Sequence, residues 1–337
     1  MPPLTSRVHV APLTTLKVGG VAEHYVEVFT EADVAAVCVY ADTNKVPLTV
    51  LGGGSNVLVA DAGLNGVVMR MQITGVKYIE TDEVIYATVG AGETLDAVVA
   101  DTIAKGYWGL ENLSHIPGSV GATPIQNVGA YGVETSDVLE SVRVYDRVEQ
   151  IYKVLQSADC QFSYRDSIFK QLPGRYVVTS VTYRLSRVPQ PQVAYDGLRA
   201  AGLTDQAGLA EIRDIVIKIR AGKFPDWHVL GTAGSFFKNP IILEAEARAL
   251  KTTYPNLPVY PYTTGLVKVS LGYILDKVCN LRGYRDGPVE LFSKQALVLV
   301  AYEGATAEMI EDFATMVEKT VYELTGIIIE REVTQLA

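Results

Sequence analysis

The 337-residue chain is 48% apolar and 20% charged, a balance that gives a globular protein room for two or three cores. Its 29 basic and 38 acidic side chains leave a net charge of −9 with no dense Lys/Arg cluster, which argues against nucleic acid or an anionic membrane as a partner. No stretch approaches the roughly 18 apolar residues of a membrane span, the opening MPPLTSRVHVAPLTTL has no signal-peptide core, and Cys38, Cys160 and Cys279 lack C-x-x-C spacing, so a cytoplasmic protein with reduced thiols and no metal site is expected.

Residues 31–45 carry Val34, Val37, Cys38 and Ala41 at helical spacing, and 47–51 read as a short strand, so the chain opens on a β–α–β unit. That strand runs into LGGGSNVL at 51–58. Short strands follow in GVVMRMQ, GVKYIE and VIYATVG, then a helix over 94–105 with Leu95, Val98 and Val99 inward. A second glycine-dense loop, IPGSVGATPIQNVGAYG, occupies 116–132. Strands are expected at 138–145 and 176–185, and the proline-rich 186–192 reads as a connector. A helix over 209–220 places Ile212, Ile215, Val216 and Ile219 inward. Beyond a junction near 222–240 the pattern predicts helices at 242–251 and 271–281, a strand at 296–302, a long helix at 307–324 and a strand at 327–333.

The two glycine loops carry the strongest chemical signal. Glycine strips side chains from the backbone, allows positive φ and brings main-chain N–H groups within reach of an anion. The first offers Gly52, Gly53, Gly54, Ser55 and Asn56. The second offers Gly118, Ser119, Gly121, Ala122, Gln126 and Asn127. Together they suit an extended, diphosphate-bearing cofactor; a pair of tight turns packed on a sheet is the competing reading. Neither is a Rossmann fingerprint, because Val57 stands where G-x-G-x-x-G needs glycine, and Gly222-Lys223 is followed by Phe224, which excludes a P-loop.

Three polar clusters stand out elsewhere. In FSYRDS, Arg165 lies between an aromatic and Asp166, a setting that can fix a guanidinium against a carboxylate; a plain surface ion pair is the alternative. In AGSFFKN, Ser235 follows a glycine and precedes two phenylalanines, and in an extended chain it shares a face with Phe237 and Asn239. There is no G-x-S-x-G and no triad-like histidine, so a proton donor fits Ser235 better than a nucleophile; a backbone-capping serine is the alternative. In GIIIEREV, alternation puts Glu330 and Glu332 on one face roughly 7 Å apart, either for proton handling or as two solvated acids.

The order and spacing of TLKVGGVAEHYVEV, LGGGSNVL, IPGSVGATPIQNVGAYG, FSYRDSIFK, RAGKFPDW, GTAGSFFKNP and IIIEREV make nearly the whole chain resemble the UDP-N-acetylenolpyruvoylglucosamine reductases of the longer type. The resemblance implies an α+β fold: a two-subdomain FAD-binding module of the vanillyl-alcohol-oxidase type plus a C-terminal α+β substrate-binding domain. The implied division is 1–65 (joined by 327–337), 66–220 and 221–326. It also implies non-covalent FAD on the two glycine loops, NADPH as hydride donor, and a small-molecule substrate in peptidoglycan precursor synthesis; a monomer is expected because the residues assigned to helices already find inward-facing partners. Arg165, Ser235 and Glu332 would be catalytic, with Tyr164, Tyr195 of VAYDGL, Lys223 and Asn239 on the substrate. Thr14 stands where the family usually has asparagine, and Thr334 where it often has arginine. Another FAD-dependent oxidoreductase of the same fold, or a catalytically silent flavin- or nucleotide-sugar-binding protein, are the other readings.

Overall fold

The computed structural model describes residues 1–337, and its contacts divide them into two units. Unit 1 comprises Met1–Val8, Ala22–Gly54 and Leu64–Ala221; unit 2 comprises His9–Val21, Ser55–Gly63 and Gly222–Ala337.

Unit 1 contains a four-stranded sheet in the order Thr5–His9, Val21–Val28, Leu64–Met71, Leu48–Leu51. The strands Val21–Val28 and Leu48–Leu51 both run parallel to Leu64–Met71, which lies between them. The helix Glu31–Asn44 makes the crossover. It starts at a capping box in which the Thr30 hydroxyl accepts from the Asp33 N–H, and it stops at Lys45 in the left-handed region. An antiparallel five-stranded sheet follows in the order Ile151–Gln156, Leu139–Asp146, Tyr176–Ser186, Val84–Gly90, Val76–Glu80. One core joins Val34, Val37 and Cys38 of the first helix to Val67 and Met69, to Val98 and Val99 of the helix Leu95–Ala104, and to Val142, Val144 and Val181 of the second sheet. A satellite core of Trp108, Tyr131, Val193, Leu198, Ile212 and Val216 lies under the helix Leu209–Lys223.

Unit 2 is built on the antiparallel sheet Gly231–Ser235, Val298–Ala301, Val289–Leu291, Arg285–Asp286 and a three-stranded sheet of Ile241–Leu243, Leu266–Val269 and Val259–Thr263. The helix Ala307–Thr325 buries Ile310, Phe313, Val317 and Val321, ends on Gly326 at φ 71°, and has its first N–H groups capped by the Asp61 carboxylate at 2.9 and 3.0 Å.

Three sequence expectations are corrected here. The helix over 242–251 starts only at Glu244, because Ile241–Leu243 pairs with Leu266–Val269. The helix over 271–281 is a short turn, Leu271–Tyr273, passing into a wider i→i+5 turn at Ile274–Val278, closed by the Cys279 N–H on the Ile274 carbonyl at 2.8 Å. The strand over 327–333 is extended chain held by one bridge, Phe237 with Arg331; the laddered strand is Thr334–Leu336, parallel to Val57–Val59. Its alternation is real all the same, for Ile327, Ile329 and Val333 are buried and Ile328 is exposed.

Candidate active site

In unit 1 the two glycine loops interlock. The Gly53 N–H donates to the Ser119 hydroxyl at 3.3 Å, and Ser119 is buried. A Cβ on Gly52 would lie 2.4 Å from that hydroxyl, and one on Gly53 would lie 2.6 Å from the Gly118 Cα. Gly118 itself takes φ 118°, open only to glycine, and Gly121 lies against Ala91, where a Cβ would meet another at 2.6 Å. The result is two touching lengths of nearly bare backbone, in the setting that an extended diphosphate requires, so the chain's own residues fit the expected FAD. Gln126 and Ala122 are half-buried beside them.

Asn127 is committed inside the fold. Its Nδ2 donates to Glu134 at 2.7 Å and to the Ser163 carbonyl at 3.2 Å, and its Oδ1 accepts from the Ser136 N–H. The first loop is divided between the units, with Gly52–Gly54 in unit 1 and Ser55 and Asn56 in unit 2.

Arg165 sits at the tip of a tight turn in which Ser163 and Asp166 exchange backbone hydrogen bonds at 3.1 and 3.2 Å. It adopts φ 57°, a conformation that costs a non-glycine residue and tends to persist where function requires it. The guanidinium donates to the Gly129 carbonyl at 3.0 Å and to that of Asn127 at 3.5 Å, and lies 5.5 Å from the Tyr164 ring centroid. Carbonyls at the end of the second glycine loop therefore fix its pose. The flanking Asp166 accepts from the Ser167 N–H and the Gln171 amide.

In unit 2, Ser235 ends the strand Gly231–Ser235, just after Gly234 at φ 77° and a register shift between Thr232 and Ser235. It is half-buried. Phe236 and Phe237 are both 1% exposed, so burial does not alternate along this segment. The segment carrying Glu332 lies alongside: the Glu332 N–H donates to the Phe236 carbonyl at 2.8 Å and the Lys238 N–H to the Glu330 carbonyl at 2.9 Å. The Asn56 amide donates to the Glu332 carbonyl at 3.1 Å, so this loop residue serves the acid's backbone. The two acids differ in environment. Glu332 is half-buried, whereas the Glu330 side chain is 72% exposed and pairs with Lys238. The Asn239 Oδ1 accepts from the Leu271 N–H at 3.0 Å.

The remaining substrate candidates are poised differently. Tyr195 is exposed, caps the short helix Asp196–Ala200, and meets Tyr131 edge-on with centroids 5.4 Å apart. Lys223 ends the helix Leu209–Lys223 half-buried with no carboxylate paired to it, and burial lowers the pKa of its ammonium. The sequence reading passed over Asn112 and Arg220, both buried in unit 1. For Arg220 a signal existed: Ile212, Val216 and Arg220 fall at i, i+4 and i+8 on the inward face of one helix, and a cation there needs a partner.

Residues 22–154 match the family model for an FAD binding domain, and residues 226–336 match that for the C-terminal domain of UDP-N-acetylenolpyruvoylglucosamine reductase. The chain is 43% identical over 305 residues to the UDP-N-acetylenolpyruvoylglucosamine reductase of Cupriavidus pinatubonensis, with 90% of each chain covered. It is 39% identical over 333 residues to that of Chromobacterium violaceum, with 96% of each covered. The crystal structure of the corresponding Thermus caldophilus enzyme superposes with a TM-score of 0.71 at 25% identity and full coverage of both chains. With its FAD-binding module, its C-terminal domain and this whole-length similarity, the chain belongs to the UDP-N-acetylenolpyruvoylglucosamine reductase family of FAD-dependent oxidoreductases.

Proposed function

We propose that the protein reduces the enolpyruvyl ether of UDP-N-acetylglucosamine to UDP-N-acetylmuramate with NADPH, as a cytoplasmic monomer supplying peptidoglycan precursors. Bound FAD supplies the hydride relay between the nicotinamide and the substrate. Gly52, Gly53, Gly54, Gly118 and Ser119 hold its diphosphate. Lys223, Tyr195 and Asn239 bind the substrate diphosphate, and Tyr164 lines the carboxylate end beside Arg165.

The chain's own residues then manage charge and protons. Hydride addition at the terminal vinyl carbon leaves an electron pair on the adjacent carbon, delocalised into the carboxylate. Arg165, held in advance by two carbonyls, stabilises that charge without reorganising, and Glu332 assists as the partner acid. Ser235 gives its hydroxyl proton to the carbon, completing the lactyl ether, and recovers a proton from water. A serine hydroxyl is a weak acid, so its placement matters more than its acidity.

The observation that carries this reading is the backbone pairing of the Ser235 segment with the Glu332 segment, which holds the proposed donor and acid on one scaffold. Rapid-mixing kinetics that follow flavin absorbance in each half-reaction test it. Ser235→Ala should leave the NADPH half-reaction near normal and slow the substrate half-reaction by about 10²–10⁴-fold. Ser235→Cys should recover part of the rate, and Glu332→Gln should be far more damaging than Glu330→Gln. Equal slowing of both half-reactions by Ser235→Ala would show that the hydroxyl shapes the pocket and donates no proton.

A further inference from the structure

We propose that Asn112 and Tyr131 are positioning residues that set affinity for the UDP-sugar by holding Tyr195 in place; the proposal rests on the reading that Tyr195 contacts the substrate. Tyr195 is exposed, on a proline-flanked loop that would be free to wander without an anchor. The anchor lies beneath it. Asn112 is fully buried, and its Nδ2 donates to the Tyr131 carbonyl at 2.8 Å and to the Gln192 carbonyl at 2.7 Å. One amide thus ties the end of the second glycine loop to the chain three residues before Tyr195. Both Nδ2 hydrogens are used, a task that serine, alanine or aspartate cannot perform.

Tyr131 extends the mount. Its ring, 8% exposed, meets Tyr195 at 87°, and its hydroxyl bonds to the buried Arg220, whose Nε donates to the His115 carbonyl at 3.0 Å. Val193 and Leu198, 1% and 0% exposed, root the loop on either side in the satellite core. The arrangement also carries a cost that packing alone does not require, because the Asn112 Oδ1 is buried without a hydrogen-bond partner. The two carbonyls that the amide brings together account for an asparagine at this buried position.

The test is a double-mutant cycle on the FAD-loaded enzyme, with UDP-N-acetylmuramate as probe and flavin absorbance as the signal. Asn112→Ala and Tyr195→Ala should each weaken binding by about tenfold. In the Tyr195→Ala background, adding Asn112→Ala should change the dissociation constant by less than about twofold. Tyr131→Leu keeps an apolar side chain in the core and should behave like Asn112→Ala, which keeps the question open to measurement should Asn112→Ala fail to load FAD. Effects that simply multiply would overturn the proposal, because Asn112 would then act independently of Tyr195. A Tyr195→Ala variant that binds the probe normally would overturn the reading beneath it, a distinguishable result.

Discussion

Replacing Gly53 with alanine puts a methyl group 2.6 Å from the Gly118 Cα, 2.9 Å from the Gly118 carbonyl carbon and 3.0 Å from the Ser119 nitrogen. All three are backbone atoms, so no rotamer relieves the clash. Ordinary contact starts at 3.4 Å, and the loops must separate by 3.4 − 2.6 = 0.8 Å, enough to break the 3.3 Å hydrogen bond from the Gly53 N–H to Ser119. The apoprotein can relax by letting the loops part, whereas FAD gripped by both loops resists that separation. An overpacking cost of about 1–3 kcal/mol then falls on the complex, a loss of roughly 5- to 150-fold in FAD affinity. Titration of apoprotein with FAD, followed by quenching of flavin fluorescence, measures it. Gly52→Ala should be milder, since its added carbon meets the Ser119 hydroxyl, which can rotate, and Ser119→Ala should rescue it. Gly208→Ala, with nothing within 4 Å, is the control. If Gly53→Ala binds FAD as the wild type does, or Gly52→Ala is equally damaging, the interlocked loops are not what holds the cofactor.

Lys223 gives a pH prediction. Burial lowers its pKa, and only the charged ammonium attracts a diphosphate, so affinity for UDP-N-acetylmuramate should fall with rising pH from a point below the usual lysine value of about 10.4. Lys223→Arg should remove that limb; a wild-type profile flat to pH 10 would refute the role. Asp146 concerns stability. Desolvation opposes its charge, but Arg175 at 2.9 Å, Lys153 at 3.0 Å and the Val148 and Glu149 N–H groups prevail and hold its carboxyl below the usual range. Its folded pKa is depressed, so its contribution is present above the unfolded value of about 3.9 and is lost as pH falls below it. Asp146→Asn should cost on the order of 2 kcal/mol at pH 7 and flatten the acid side of the stability curve in urea unfolding. An unchanged acid side would refute the assignment.

The elements legible in the sequence are those whose signal is local. The helices Glu31–Asn44 and Ala307–Thr325 announce themselves by apolar spacing and caps, and the glycine loops by composition. What the sequence hid depends on distant partners. Ile327–Val333 looks like a sheet strand because its side chains alternate, yet its one bridge is Phe237 with Arg331. The register shift before Ser235 sets both phenylalanines into the core, and no residue type in GTAGSFF marks it. Arg165 was identifiable as a fixed guanidinium, but the carbonyls of Asn127 and Gly129 that fix it lie nearly forty positions earlier, at separations of 38 and 36. Asn112 resembles any loop asparagine until its two carbonyl partners are known.

Unit 2 draws on three stretches of chain, His9–Val21, Ser55–Gly63 and Gly222–Ala337, and the Asn56 amide meets a carbonyl 276 positions away. During synthesis, Leu16, Val18 and Leu58 emerge long before Leu257, Val269, Ile329 and Val333, the residues with which they form a core. Unit 1 can close once residues to about 221 are out of the ribosome, while these early apolar side chains wait exposed. Contacts of such high sequence separation are of the kind that slows folding, because the loop between them must close before they form. For the same reason a break at Gly222 would not release two foldable halves, because the N-terminal fragment keeps two pieces of the other unit's core.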